Sequence, residues 1–334
     1  MYIVDSYSLA VIFCIITMLG WGSWANTLKM TPKNWEFPLY YWDYSIGLIL
    51  TTLLFGFTFG SAGTEGRSFL ADLSQANFSA LSSAFIGGVI FNLSNLLIVA
   101  ATAIAGLAVA FPIAVGLALV IGVVVNYMAT PLGNPVLLFA GLALVVLAIL
   151  VDTAAYKKLP QEKKGDQKKG ILISIVSGIL MGFFYRFVAA SMTTNFAVPD
   201  AGLLTPYSAM FVFTIGIFIS NFVFNTWFMY KPVTGGKVSY SDYFRLGTPK
   251  IHLIGLLGGL IWCAAMEFNM MASEQAGFAI SYGLGQGATM ISAAWGVFVW
   301  KEFAKAPKGT NKLLAAMFAL FIIGLSMIVV ARLN

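Results

Sequence analysis

The sequence predicts an all-α integral membrane protein with ten transmembrane helices, built as two inverted five-helix repeats. Three observations predict it. Hydrophobic residues make up 59% of the 334 and charged residues only 10%, against about 25% charged in soluble domains. Ten apolar runs are long enough to cross a bilayer, and an ungapped internal match relates the two halves. With a mean hydropathy of +0.87, the chain has too little polar surface to cover a soluble fold.

A span needs roughly 20 mostly apolar residues. The ten runs lie near 7–28, 37–60, 82–104, 107–128, 134–155, 170–192, 204–229, 251–272, 276–300 and 311–332. Spans three and four, and eight and nine, follow each other almost directly, which predicts tight hairpins. The first run has no Lys or Arg before it and no small-residue cleavage site, so it reads as a retained helix.

The cations set the direction. One side receives Lys29 and Lys33, six lysines of KKLPQEKKGDQKKG at 157–170, then Lys231, Lys237, Arg245 and Lys250, and finally Lys301, Lys305, Lys308 and Lys312. That side collects sixteen of the 19 cations; the other receives Arg67 and Arg332, and Arg186 lies within a span. The asymmetry predicts a cell membrane protein with a cytoplasmic central loop and both termini outside. It also accounts for the net charge of +6 without a nucleic-acid partner.

The basic loop divides the chain into a first repeat at 1–155, a linker at 156–169 and a second repeat at 170–334. Residues 87–127 align on 258–298 without a gap: Gly87-Gly88 falls on Gly258-Gly259, and AGLAVAF on AGFAISY. LGWGSW near Gly20 resembles MGFFYR near Gly182, and DYS at 43–45 resembles PYS at 206–208. Five spans per half force the halves to enter the membrane in opposite directions. That is the pattern of many secondary transporters.

Ionisable groups inside a membrane are costly, about 2.5–3.5 kcal/mol each on insertion scales, and usually face the bundle interior. Arg186 and Glu267 are placed at similar depth, which predicts an ion pair. The pair either fixes helix packing or leaves Glu267 able to carry a coupling proton. Asp43 is either an interfacial residue of an aromatic belt or part of a site. Polar amides come next: Asn26, Asn92, Asn95 and Gln286 suit a neutral polar ligand, or serve as interhelical glue. Trp21, Trp24, Tyr185, Trp262 and Tyr282 could stack on a flat ligand, or simply pack. Gly283, Gly285, Gly287 and Pro112 permit close packing or local unwinding, and such interruptions in corresponding spans point to a transporter site.

Other classes find little support. There is no GxxxxGK[ST] loop, no HExxH and no GxSxG. Cys14, Cys263 and the lone His252 cannot build a usual zinc site, and His252 is expected to do nothing chemical. No cofactor or metal is expected, and a membrane-embedded enzyme would leave the repeat unexplained.

Ten spans, with WKEF at 300–303 before the last, resemble the drug/metabolite transporter superfamily. MYIVDS, LGWGSW, YYWDYSIG at 40–47, FTFG at 57–60 and GGVIFNLSNL at 87–96 resemble the ureide permease family of plants and its bacterial relatives. The second half matches more loosely. The resemblance implies proton-coupled uptake of allantoin, uracil and related oxo-heterocycles, with a cytoplasmic central loop. The long plant loop, with its nucleotide-binding-like motif, is here short and lacks the motif. A related branch carries glucose, ribose or rhamnose, so sugar uptake, or drug and metabolite export, is the alternative.

The expected site is therefore a polar cavity that takes a small neutral solute. Its substrate-binding candidates are Trp21, Trp24, Asn26, Asp43, Asn92, Asn95, Tyr185, Arg186, Trp262, Tyr282 and Gln286. Glu267 is the proton-coupling candidate. The partners are a solute, protons and the bilayer.

Overall fold

The computed structural model describes residues 1–159, 166–233 and 235–333. Of the basic linker, 160–165 lie outside the described residues, including Lys163 and Lys164. The described residues form helices and no strand, apart from one isolated bridge between Met192 and Leu204.

The helices are α1 Tyr7–Ser23, α2 Phe37–Phe57, α3 Phe69–Gln75, α4 Phe78–Ala105, α5 Leu107–Ala129, α6 Pro135–Tyr156, α7 Gln167–Ser191, α8 Pro206–Asn221 and α9 Phe224–Tyr230. After them come α10 Tyr240–Leu246, α11 Pro249–Ala276, α12 Phe278–Gly285, α13 Ala288–Ala294 and α14 Thr310–Ala331. Their starts follow from local chemistry. Asn77, Asn134, Asp166 and Thr248 cap orphan backbone N–H groups of the helices they precede. Prolines open α2, α6, α8 and α11, where a missing N–H costs nothing.

Among the described residues, eight helical segments are long and apolar enough to cross a membrane, so this is a multi-pass membrane protein. Two expected spans are helical but fall outside that set. α2 carries Tyr40, Tyr41, Asp43 and Tyr44 in its first half. The stretch 278–299 is broken: α12 stops at Gly285, α13 starts at Ala288, and a π-helical turn runs from Trp295 to Val299. The break at Gln286 and Gly287 falls where the glycines predicted unwinding. Pro112, by contrast, sits inside a continuous α5.

A single residue joins α4 to α5, Gly106 at φ 86 and ψ 154, and a single residue joins α11 to α12, Gly277 at φ 83 and ψ 149. Both take a positive φ that favours glycine. α4 packs on α7 and α8, α11 on α1 and α2, and α6 on α14. Glycines set the closest approaches. A Cβ at Gly88 would run into Phe213 O on α8, and one at Gly259 into Tyr44 O on α2. Gly88→Val should therefore lower the thermal unfolding temperature of the detergent-solubilised protein through overpacking, which costs about 1–3 kcal/mol. Unchanged unfolding would mean that α4 and α8 are further apart than described.

The connections gather at two ends. Residues 26–36, 156–158, 231–233, 235–252 and 295–309 meet at one, through Lys29–Glu302, Tyr156–Glu302, Gly236–Glu36 and Trp35–His252 contacts. Lys29, Lys157, Lys158, Lys231, Lys237, Lys250, Lys301, Lys305 and Lys308 lie in or beside these connections. At the other, Arg67 binds Asp72 at 2.7 Å and donates to the Pro199, Asp200 and Leu203 carbonyls. Glu274 accepts from Phe196 N there, and Asn134 N donates to Ala331 O.

Candidate functional site

A cavity of ≈ 600 Å³ runs from the lysine-bearing end into the middle of the bundle. The end of α1 supplies Trp21 and Trp24; α4 supplies Phe91, Asn95 and Thr102; α11 supplies Trp262; and the α12–α13 break supplies Gln286. Lys29 stands at its mouth. The walls are mostly apolar and aromatic, which suits a flat solute.

Trp262 organises the floor. Its ring stacks on Trp21 at 5.9 Å and 13°, and on Phe213 at 6.3 Å and 18°, and it contacts Phe91 at 4.5 Å. The polar groups are few and uncharged. Asn95 donates through Nδ2 to the Tyr41 hydroxyl at 3.0 Å, which leaves its carbonyl oxygen without a protein donor among the described residues. The Gln286 side chain makes no hydrogen bond among the described residues, and Trp21 Nε1 is buried without an acceptor. The cavity thus offers both donors and acceptors that the protein leaves unused.

Below the floor the path towards Arg67 and Arg332 is shut. Tyr185 donates to Asn269 Oδ1 at 2.7 Å, and Asn269 Nδ2 donates to Ser281 O at 2.9 Å. Tyr282 donates to Ala118 O at 3.1 Å and reaches Met181 O at 3.4 Å. These two tyrosines, expected as stacking residues, are fully buried and seal the cavity rather than line it.

The remaining candidates are placed elsewhere. Asn92 is buried between α4 and α8, where it donates to Ile217 O at 3.2 Å and Ser220 Oγ at 2.8 Å. Asn26 lines a side recess of ≈ 250 Å³ beside the mouth and accepts from Trp300 Nε1 at 2.7 Å. Arg186 is half-buried, and among the described residues no ion pair joins it to Glu267. The expected pair is corrected: equal depth did not bring the two side chains to the same azimuth. Glu267 is fully buried, lies near Tyr207 and Cys263, and neither oxygen has a hydrogen-bond partner among the described residues. It sits five residues beyond Trp262, about 7.5 Å deeper at 1.5 Å per residue.

Asp43 is not in the cavity either. It is buried on α2, where Tyr243 of α10 donates to it and His252 Nδ1 of α11 lies 2.9 Å from Oδ1. Trp35 packs edge-on against the imidazole. His252, expected to do nothing chemical, is a direct partner of this buried carboxylate. Sequence reasoning also missed Phe37, Phe91, Phe184, Thr102, Thr289 and Ser292 on the cavity wall. Such residues are ordinary in apolar helices, and no motif marks them.

A family model described as ureide permease matches residues 40–169 and 163–331. The chain belongs to the ureide permease family. It is a membrane transport protein, not an enzyme. Ureide permease 1 of Arabidopsis thaliana is 25% identical over 387 aligned positions, covering 98% of each chain. Ureide permease 3 of the same plant is 26% identical, covering 84% of this chain and 89% of its own. Probable glucose uptake protein GlcU of Priestia megaterium is 26% identical over 68% of each chain. A crystal structure that is 15% identical superposes with a TM-score of 0.61 over 98% of this permease, a likeness of fold alone.

Proposed function

We propose that this permease is a secondary transporter that carries a small, neutral, planar ureide or nucleobase across the plasma membrane, driven by protons. The observation that carries the reading is the cavity: aromatic walls, unused amide donors and acceptors, and no charge except Lys29 at the mouth. A cyclic ureide presents a flat face to Trp262 and Trp21. Its carbonyl suits the Gln286 amide nitrogen, and its N–H groups suit the Asn95 and Gln286 carbonyls. Trp24 narrows the mouth. The lysine-bearing end is cytoplasmic on this reading, both termini are outside, and the cavity faces inward.

The repeat supplies the mechanism. Ten spans in two inverted halves, 1–155 and 170–334, fit the packing. Exchanging each span for the one five places on turns every major helix contact into another that is present: α4 on α7 becomes α11 on α1, and α4 on α8 becomes α11 on α2. Gly106 and Gly277, 171 positions apart, share their torsions. Gly88 meets Phe213, Gly216 and Ile217, just as Gly259 meets Tyr44, Gly47 and Leu48. On this reading α2 pairs with α8 at a spacing of 169, with Gly47 matching Gly216, rather than at the spacing of DYS and PYS. Phe91 and Trp262 are then equivalent residues in contact across the axis. A halved structure of this kind can exchange conformations, open the Tyr185 and Asn269 side and close the Lys29 side.

Glu267 is the coupling group on this reading. An intramembrane carboxylate without a partner is a functional candidate by default. Asn92 acts as interhelical glue, while Tyr185 and Tyr282 act as gates.

The test is thermal-shift binding of the full chain in detergent to hydantoin, uracil and glucose. Hydantoin or uracil should raise the unfolding temperature and glucose should not. Stabilisation by glucose alone would favour the sugar alternative.

A further inference from the structure

A second cavity, of ≈ 470 Å³, lies at the end opposite the mouth, between the end of α5, the turn after α7, the Gly277 junction and the end of α14. Arg332, Glu274 and Thr194 line its polar side, and Phe278, Phe196 and Leu132 its apolar side. Arg332 donates through Nε to Gln275 O at 2.9 Å, and its two terminal nitrogens make no hydrogen bond among the described residues. Glu274 accepts from Phe196 N at 2.9 Å through Oε1, while its Oε2 is buried with no donor. The two charges line one cavity without forming an ion pair.

We propose that this cavity is a capture site, distinct from the central one, for a planar cyclic ureide. The inference rests on the transport reading above. The –NH–CO–NH– unit places a carbonyl acceptor beside an N–H donor on one edge. The carbonyl answers the free guanidinium nitrogens, the N–H answers the Glu274 carboxylate on the cavity wall, and the ring face lies on Phe278. A phosphate or a lipid headgroup would satisfy Arg332 but would meet Glu274 with like charge. A cation would meet Arg332 in the same way. The ligand that satisfies both is neutral and carries donor and acceptor together. Phe278 packs edge-on against Tyr185 at 6.5 Å, and the Tyr185–Asn269 bond closes the way to the central cavity. A solute held here is therefore one gate away from Trp262.

The test is equilibrium binding of radiolabelled hydantoin to the full chain in lipid nanodiscs, with stoichiometry as the readout. Wild type should bind two molecules per chain. Arg332→Gln and Glu274→Gln should each weaken one of the two sites at least tenfold, and Trp262→Ala should remove the other. Leu132→Trp fills the cavity without touching either charge and should also remove the capture site, which guards against a charge variant that merely misfolds. If wild type binds a single molecule that is lost in Trp262→Ala, or if both sites survive Arg332→Gln and Leu132→Trp, the capture site is refuted and the transport reading stands. If wild type binds no hydantoin, the transport reading falls and takes this site with it.

Discussion

Trp262→Ala should cut the kcat/KM of hydantoin uptake by between ten- and about a hundredfold. The Trp262 ring contacts Trp21, Phe91 and Phe213 and forms the floor on which a flat solute would lie. Removing an aromatic platform costs about 1–3 kcal/mol per stacked ring in comparable single-strand nucleic-acid sites, and each 1.4 kcal/mol is tenfold. The indole is also buried in the core, and a Trp→Ala truncation there costs about 3–5 kcal/mol of stability. Uptake must therefore be scaled to the amount of folded protein, measured by size-exclusion chromatography. Trp262→Phe keeps a ring and should retain uptake within tenfold of wild type. Normal uptake by folded Trp262→Ala would place the solute elsewhere.

Glu267→Gln should abolish proton-driven accumulation while leaving downhill exchange of solute intact. The substitution keeps the shape and removes the titration. Had Glu267 been paired with Arg186, the change would have left a buried cation with a weaker partner, and breaking such a pair costs about 3–5 kcal/mol. No such pair exists among the described residues, and both carboxylate oxygens are without partners. Folding and expression should then survive the change, and Arg186→Gln should add nothing to it. The measurement is solute accumulation in proteoliposomes under an imposed pH gradient, next to counterflow without one. Wild-type accumulation by the variant would rule out coupling through Glu267. Loss of folded protein, rescued by Arg186→Gln, would restore the ion-pair reading.

The sequence by itself determined the solvent, the helical class and the segregation of charge. These depend on composition and on runs of about 20 residues, which any alignment of helices leaves unchanged. It also pointed to three breaks of the backbone, although the unwinding expected at Pro112 is absent from a continuous α5. Gly106, Gly277 and the Gln286–Gly287 interruption are local conformations, and local residue chemistry specifies them. A minority of the cavity lining was legible for a similar reason: Trp21, Trp24, Asn95, Trp262 and Gln286 are rare residue types for the interior of an apolar helix.

Azimuth was decided only by the tertiary structure. Asn92 and Asn95 are three positions apart and differ by about 60° around α4. That small angle turns one into the α8 interface and leaves the other on the cavity. Arg186 and Glu267 match in depth along their helices, yet nothing local fixes which way each helix turns its face. The contacts of Asp43 with Tyr243 and His252 span 200 and 209 positions. No spacing rule reaches that far, because such pairs are set by how α2, α10 and α11 pack, and packing depends on all of their faces at once.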